Sequence, residues 1–116
     1  MAIIGTDVNP LEPSEIAGLD AREALNAEAG SGALTAGAFL LHAASELPLH
    51  RHKIEEGFYV LEGTGTLMIR DEEHAVKAGD FLLAPAWTPH GFRTGANETL
   101  HVLYVYPALN PWTEML

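Results

Sequence analysis

Short apolar segments separated by turn residues follow one another closely from residue 33 to residue 107. Gly, Pro, Asp and Asn recur between these segments, as they do between the strands of a β protein. Many short strands at such close spacing are typical of a sandwich or a barrel. The pattern predicts strands at 33–41, 58–61, 67–70, 81–84, 91–93 and 100–106.

The first third of the chain has a weaker pattern. Residues 1–20 contain Pro10 and Pro13, which interrupt regular structure, and they predict an irregular N-terminal arm with at most a short edge strand. Residues 20–29 are good helix formers and, taken alone, predict a helix. The β pattern of the remaining chain favours a strand or a loop there, so both interpretations stay open.

Length and composition limit what the protein does. With 116 residues, 47% of them apolar, we expect one packed domain over residues 1–116 with a barrel core at 33–107. A net charge of −10 argues against nucleic acid and anionic membranes as partners. The chain has neither a long apolar run nor a signal-like N-terminus, and we therefore expect a cytoplasmic protein. Without cysteine, any metal must be held by nitrogen and oxygen atoms.

Three histidines and a glutamate have the spacing of a metal site. His50 and His52 point to the same face of an extended strand, because side chains alternate along it. Strict alternation keeps Glu56 on that face as well, and it favours Glu56 over its neighbour Glu55. Together with His90, this set suits one divalent transition metal, either Zn, Fe, Mn, Ni or Cu.

Two sequence motifs resemble those of the cupin superfamily. The first family motif is G-x5-H-x-H-x3-E-x6-G, and the chain matches it at His50, His52, Glu56 and Gly63. The second is G-x5-P-x-G-x2-H-x3-N, and the chain matches it at Gly79, Pro85 and His90. The chain departs from the two motifs at Ala44, Trp87 and Thr94, which stand in place of Gly, Gly and Asn.

This resemblance to small single-domain bacterial cupins implies an all-β fold, a double-stranded β-helix or jelly-roll barrel. It also implies that the four candidate ligands hold the metal in the barrel mouth. The implied function is that of a metal-dependent enzyme that acts on a small organic substrate by Lewis-acid or O₂ chemistry, as a dioxygenase, isomerase, cyclase or lyase. The alternative is a non-catalytic, metal-containing protein that binds a small molecule or a sugar. Family members commonly form dimers, so a homodimer is expected.

Strand parity gives four candidates for a substrate pocket. Phe58 and Val60 share the face of Glu56, Phe92 shares that of His90, and Tyr104 offers a hydroxyl group. These side chains either line a cavity or simply fill the barrel, and a separate general base is not identified. The apolar residues of segment 111–116 either cover a neighbouring subunit or pack against their own barrel.

Overall fold

The computed structural model describes residues 3–116, and ten strands form in this part of the chain. The start of the predicted N-terminal arm, residues 1 and 2, lies outside the described residues. In chain order the strands are β1 Glu12–Pro13, β2 Leu19–Leu25, β3 Thr35–Leu41, β4 Glu46–His52, β5 Glu56–Ile69, β6 Glu72–Lys77, β7 Phe81–Ala84, β8 His90–Arg93, β9 Leu100–Tyr106 and β10 Thr113–Met115. Between residues 3 and 116 no helix has the length and apolar character needed to cross a membrane.

The strands form two antiparallel sheets that share β5, in an all-β architecture as predicted. The larger sheet has the order β1-β2-β3-β9-β5-β7 and the smaller one β10-β4-β8-β5-β6. Residues 56–63 of β5 belong to the larger sheet, and residues 64–69 belong to the smaller. The curled sheet therefore turns its inner faces towards a common core.

β5 is one long strand, whereas the sequence predicted two strands separated by a glycine turn. Gly63 allows the strand to pass from one sheet to the other, since it has a φ of 89° that other residues rarely adopt. A Cβ atom there would lie 1.9 Å from the carbonyl oxygen of Thr99. The glycine that looked like a strand end is thus the point at which a continuous strand crosses.

The local helix prediction for residues 20–29 is wrong, and the strand interpretation holds for β2. β2 pairs with β3 from Leu19 opposite Leu41 to Leu25 opposite Ala36. Tertiary pairing outweighs helix propensity here, which is worth only tenths of a kcal/mol per residue. The charged strand β6 was not predicted at all, and it pairs along the second half of β5.

The core lies between the two sheets, where aromatic rings bring them together. The ring of Phe92 lies 5.3 Å from those of both Phe39 and Phe58, measured between centroids. The most deeply buried neighbours are Leu41, Val60, Leu100 and Val102. The ring of Phe58 also lies 5.8 Å from that of His90, so the histidine cluster sits directly against this core.

Candidate metal centre

Four buried side chains from three strands converge at one point. His50 and His52 end β4, Glu56 begins β5 and His90 begins β8. One nitrogen or oxygen atom from each of the four lies within 4.8 Å of the others. Each residue is at most 7% exposed. The sheet register brings these elements together, because His90 lies opposite His50 on β4.

Glu56 reaches the cluster by a different route from the predicted one. The expectation that it continues the strand of His50 and His52 is wrong, because β4 ends at His52 and Glu56 opens β5. The turn between the two strands returns the chain to the cluster. Glu55 is exposed at the end of this turn, while Glu56 is buried. The parity argument therefore selected the carboxylate that lies in the cluster, but for the wrong structural reason.

Each histidine is oriented through its Nδ1 atom. Nδ1 of His50 lies 2.9 Å from the carbonyl oxygen of Pro48, and Nδ1 of His90 lies 2.9 Å from that of Thr88. Nδ1 of His52 lies 3.2 Å from the carbonyl oxygen of Trp112. A carbonyl only accepts, so in the neutral rings Nδ1 carries the proton and Nε2 keeps its lone pair.

Glu56 is the anion of the cluster. Its Oε1 atom lies 3.2 Å from Nε2 of His52 and 3.1 Å from Nε2 of His90. Burial acts to raise the pKa of Glu56, but the two histidine hydrogen bonds outweigh it and the pKa is lowered. Burial likewise acts to lower the pKa of His52, yet hydrogen bonding and charge from Glu56 raise that pKa overall.

The pKa of His50 shifts in the opposite direction to that of His52. Burial lowers its pKa to about 4, and the neighbouring charges of His90 and His52 add to this effect against the raising influence of the Pro48 carbonyl. A neutral imidazole is the form that binds a metal. His50 is thus held in its metal-binding form over most of the pH range.

The donor set fits a divalent cation. Three imidazole nitrogen atoms and one carboxylate match the ligand preferences of first-row transition metals. The set is buried, mutually close and oriented by backbone carbonyls, as ligands in metal sites are. The structure thus brings together all four residues that the sequence predicted, and their role as metal ligands stays a prediction.

A cavity of about 250 Å³ opens beside the cluster. Three of the four residues reach it, namely His50, His52 and Glu56. Its remaining wall is largely apolar and comprises Ile16, Leu19, Ala21, Phe39, Leu47, Phe58 and Met115. Its other polar groups come from Tyr104, Tyr106 and Thr113. Such an apolar cavity with few polar groups is typical of a small-molecule site.

Two of the four predicted pocket residues lie elsewhere. Phe58 and Tyr104, which face each other across β5 and β9, line the cavity. Val60 and Phe92 are fully buried in the core and do not reach it. Parity indicates which face a side chain points to but not how deep it lies along the barrel. Ile16, Leu47, Thr113 and Met115 carry no sequence signal that marks them as cavity residues.

The two tyrosines bring hydroxyl groups to the cavity wall. Burial raises the pKa of Tyr104 to about 12, with the charges of Glu23 and Glu56 adding to the effect. Burial also raises the pKa of Tyr106. Both hydroxyls are therefore neutral near pH 7 and remain hydrogen-bond donors. Gly37 makes room for Tyr104, because a Cβ atom there would lie 2.5 Å from the tyrosine oxygen.

The remaining histidines lie outside the cluster. His42 is exposed and pairs with Asp20 at 2.8 Å, and His74 is exposed as well. His101 lines a separate hollow on the outer face of the larger sheet. Arg93 pairs with Glu73 at the surface, as its parity relative to His90 predicted.

Comparison with known proteins agrees with the fold. Residues 38–106 match the family model of the cupin domain. Over its whole length the chain is similar in structure to the polyketide cyclase RemF from Streptomyces resistomycificus, with a TM-score of 0.90, 25% identity and 85% of that chain covered.

Two curated relatives are dioxygenases. The chain is 37% identical over 68 residues to 5-nitrosalicylic acid 1,2-dioxygenase of Bradyrhizobium sp., a match that covers 58% of this chain and 33% of the relative. It is 40% identical over 58 residues to quercetin 2,3-dioxygenase of Bacillus subtilis strain 168, covering 49% of this chain and 17% of the relative. The matches thus span at most a third of either dioxygenase.

Proposed function

The chain belongs to the cupin family, and we propose that it is a metal-dependent enzyme that acts on a small, largely apolar organic molecule. The observation that carries this proposal is the buried cluster of His50, His52, Glu56 and His90 beside an apolar cavity. A divalent ion held there would supply Lewis acidity or, with a redox-active metal, O₂ chemistry.

The cavity favours a particular class of substrate. Its aromatic and aliphatic wall would hold a planar apolar body, and the neutral hydroxyl of Tyr106 would donate a hydrogen bond to a carbonyl or phenolic oxygen atom. The Tyr104 hydroxyl already donates to the carbonyl oxygen of Arg22 at 3.5 Å. Three relatives support the same class, namely a 5-nitrosalicylic acid dioxygenase, a quercetin dioxygenase and a polyketide cyclase. We therefore propose an aromatic or polyketide-type substrate with oxygen substituents. A sugar carries a hydroxyl group on most of its carbon atoms, and this wall offers few partners for them, so a sugar suits it less well.

Two reaction types have support. The similarity to the polyketide cyclase covers 100% of this chain, and it favours a redox-neutral cyclisation, isomerisation or lyase reaction. The sequence identity of 37% to a dioxygenase favours ring or enol oxidation as the second candidate. In both, the residues of this chain would bind the substrate in the cavity, exclude water around it and orient its oxygen atoms towards the cluster.

The test uses the purified protein loaded separately with Zn²⁺, Mn²⁺, Ni²⁺, Fe²⁺ and Cu²⁺. Elemental analysis should give one metal per chain, and His52→Ala should lose it whereas exposed His74→Ala should not. Each form is then mixed with hydroxybenzoates, flavonols and aromatic poly-β-ketones. Product without O₂ uptake supports the redox-neutral reaction, and stoichiometric O₂ uptake supports the dioxygenase. Substrate binding without turnover would overturn the enzymatic function in favour of the alternative, a non-catalytic binding protein. A failure to bind any metal would overturn the proposal as a whole.

We also propose that the protein forms a homodimer through the outer face of the larger sheet. This outer face presents the exposed or half-exposed apolar side chains of Tyr59, Leu61, Phe81, Leu83, Leu103 and Val105. None of these six positions is charged, although the chain has a net charge of −10. A hollow of about 350 Å³ lies on the same face and is lined in part by Ala36, Ala38 and Leu103. The large side chains lie at one edge of this face and the hollow lies at the other. In a dimer with a two-fold axis, the large side chains of each copy would enter the hollow of the other.

Light scattering tests the dimer. Leu103→Asp should give monomers because it places a charge in the centre of the outer face. Leu34→Asp is the matched control, since Leu34 is also 40% exposed but lies in the turn before β3. A wild-type protein that is monomeric at micromolar concentration, or a control variant that dissociates equally, would contradict this interface.

A further inference from the structure

His52 differs from the other two histidines of the cluster in where the contacts of its Nδ1 atom come from. His50 and His90 are each oriented by a carbonyl two positions earlier in the same part of the chain. Nδ1 of His52 instead contacts two groups about 60 residues away, the Trp112 carbonyl oxygen at 3.2 Å and the Thr113 hydroxyl oxygen at 3.0 Å. One predicted ligand therefore depends on the C-terminal strand β10.

β10 is held beside β4 by contacts on the outer side of the barrel. Thr113 lies opposite His52 in the antiparallel register, and the Glu114 carboxylate lies 2.6 Å from a guanidinium nitrogen of Arg51. The rings of Trp87 and Trp112 lie 5.7 Å apart, with the Lys53 ammonium 5.2 Å from the Trp112 ring. These contacts fix the Trp112 carbonyl and the Thr113 hydroxyl relative to the imidazole.

We propose that Thr113 is a positioning residue for the metal centre and that the docked β10 selects the tautomer of His52 that leaves Nε2 free for a cation. The competing tautomer carries its proton on Nε2, where it would donate to Glu56 Oε1 at 3.2 Å. That form has no lone pair on Nε2 and cannot bind metal through it. The Trp112 carbonyl oxygen can only accept, so it binds the Nδ1 proton and opposes this competing form. The Thr113 hydroxyl can accept from Nδ1–H or donate to an unprotonated Nδ1, so it holds the ring in position in either form. The inference rests on the proposed function, because it assumes that His52 is a ligand.

The first test reads the tautomers directly in the metal-free protein. Long-range ¹H–¹⁵N NMR at pH 9 distinguishes a protonated Nδ1 from a protonated Nε2 on each ring. In the wild type, His52 should carry its proton on Nδ1. Thr113→Val keeps the shape of the side chain and removes its hydroxyl, and it should leave this tautomer unchanged because the Trp112 carbonyl still accepts the Nδ1 proton. Thr113→Ser, which keeps the hydroxyl, should show the wild-type pattern. Thr64→Val is the matched control, since it removes a strand hydroxyl that bonds to Glu98 instead.

The second test measures affinity with Co²⁺ alone as the probe, by its visible absorption in competition with a chelator. Thr113→Val should raise the Co²⁺ dissociation constant about tenfold, as loss of an orienting contact does. Thr113→Ser and Thr64→Val should stay near the wild-type value. A wild-type chain that binds no Co²⁺ would overturn the proposed function and the metal part of this inference together. A wild type that binds Co²⁺, together with a valine variant of unchanged affinity, would overturn the positioning role of Thr113 alone. A wild-type His52 that carries its proton on Nε2 would overturn the tautomer selection by β10.

Discussion

Nε2 of His90 lies 3.1 Å from Oε1 of Glu56, although 34 positions separate the two residues in the chain. β5 carries Glu56 at its start, and its second half pairs with β8, which His90 begins. The pair is buried, so the carboxylate acts on the imidazole with little screening by solvent. Since His52 contacts the same oxygen, one anion serves two histidines.

Glu56→Gln should therefore remove most of the metal affinity. The amide keeps the size of the side chain but loses the negative charge, and we expect affinity to fall by more than about a hundredfold, beyond what loss of an orienting neighbour causes. Chelator competition with Zn²⁺ or Co²⁺ measures this change. Glu55→Gln is the matched control because Glu55 is exposed, and it should leave affinity unchanged. Equal losses in the two variants would show that general charge, and not the position of Glu56, determines binding.

The stability of the metal-free protein should fall in acid because of His50. Burial lowers the pKa of His50 to about 4, while the unfolded value is 6.5. Between these two values the unfolded chain binds a proton that the folded chain does not, so stability decreases as the pH drops from 6.5 to about 4. The full difference corresponds to about 3 kcal/mol.

Urea unfolding at pH 7 and pH 4.5 checks this sign, with the variants His50→Gln and His52→Gln. His50→Gln should flatten the pH dependence. The pKa of His52 is raised, so its stabilising effect is present at acid pH and is lost as the pH rises through the folded value. His52→Gln should therefore steepen the pH dependence. The same slope in wild type and His50→Gln would contradict the buried, neutral state of His50.

The barrel and the members of the four-residue cluster were predictable because the strand pattern and the spacing within each motif are local signals, and because the two motifs together resemble those of one family. Histidines one residue apart, a glutamate four positions later and glycines at turns define the spacing of the two motifs. Alternating burial in β3 and β5 also follows directly from the two-residue period of a strand. These signals need no knowledge of which strand pairs with which.

The strands β2 and β6, the contact of Thr113 and the depth of the cavity were not predictable in this way. They depend on which strands pair in the fold, which no short stretch of sequence encodes. The strand β2 forms because β3 is beside it, and the charged β6 forms because the second half of β5 is available. Thr113 reaches His52 only through the docking of β10 on β4. Parity likewise placed Val60 on the inner face without indicating that it lies below the cavity, in the core.

Gly37→Ala should destabilise the fold and disturb the cavity wall. A Cβ atom at this position would lie 2.2 Å from the carbonyl oxygen of Arg22 and 2.5 Å from the hydroxyl of Tyr104. Overpacking of this kind costs about 1–3 kcal/mol, measurable by urea unfolding. Gly32→Ala is the control, since its Cβ would meet nothing within 4 Å, and it should gain about 0.4–1 kcal/mol of stability because alanine lowers the entropy of the unfolded chain. Adding Tyr104→Phe should not restore full stability because the clash with the Arg22 backbone remains, and a complete rescue would contradict this account.

At the two motif positions where this chain lacks glycine, the backbone still has the positive φ angle that glycine favours. Ala44 and Trp87 stand where the cupin motifs have glycine, and their φ angles are 52° and 64°. Both lie in the left-handed region that costs about 1–2 kcal/mol for a residue with a Cβ atom. Trp87 also donates its backbone N–H to the carbonyl oxygen of His52 at 2.7 Å, and its ring packs at a tilt against that of Trp112, so it has compensating contacts.

Ala44→Gly should therefore stabilise the protein, whereas alanine-to-glycine changes usually destabilise. Ala44 is exposed, and its backbone N–H bonds to the carbonyl oxygen of Gly95 in either variant. Relief of the left-handed strain exceeds the extra entropy of the unfolded chain, and we expect a gain of about 0.5–1 kcal/mol in the free energy of unfolding. Ala43→Gly is the matched control, since this exposed neighbour does not have a positive φ, and it should lose about 0.5–1 kcal/mol. Thermal and urea unfolding of both variants measure the two changes, and a loss of stability in Ala44→Gly as large as in Ala43→Gly would show that the backbone at position 44 is not left-handed.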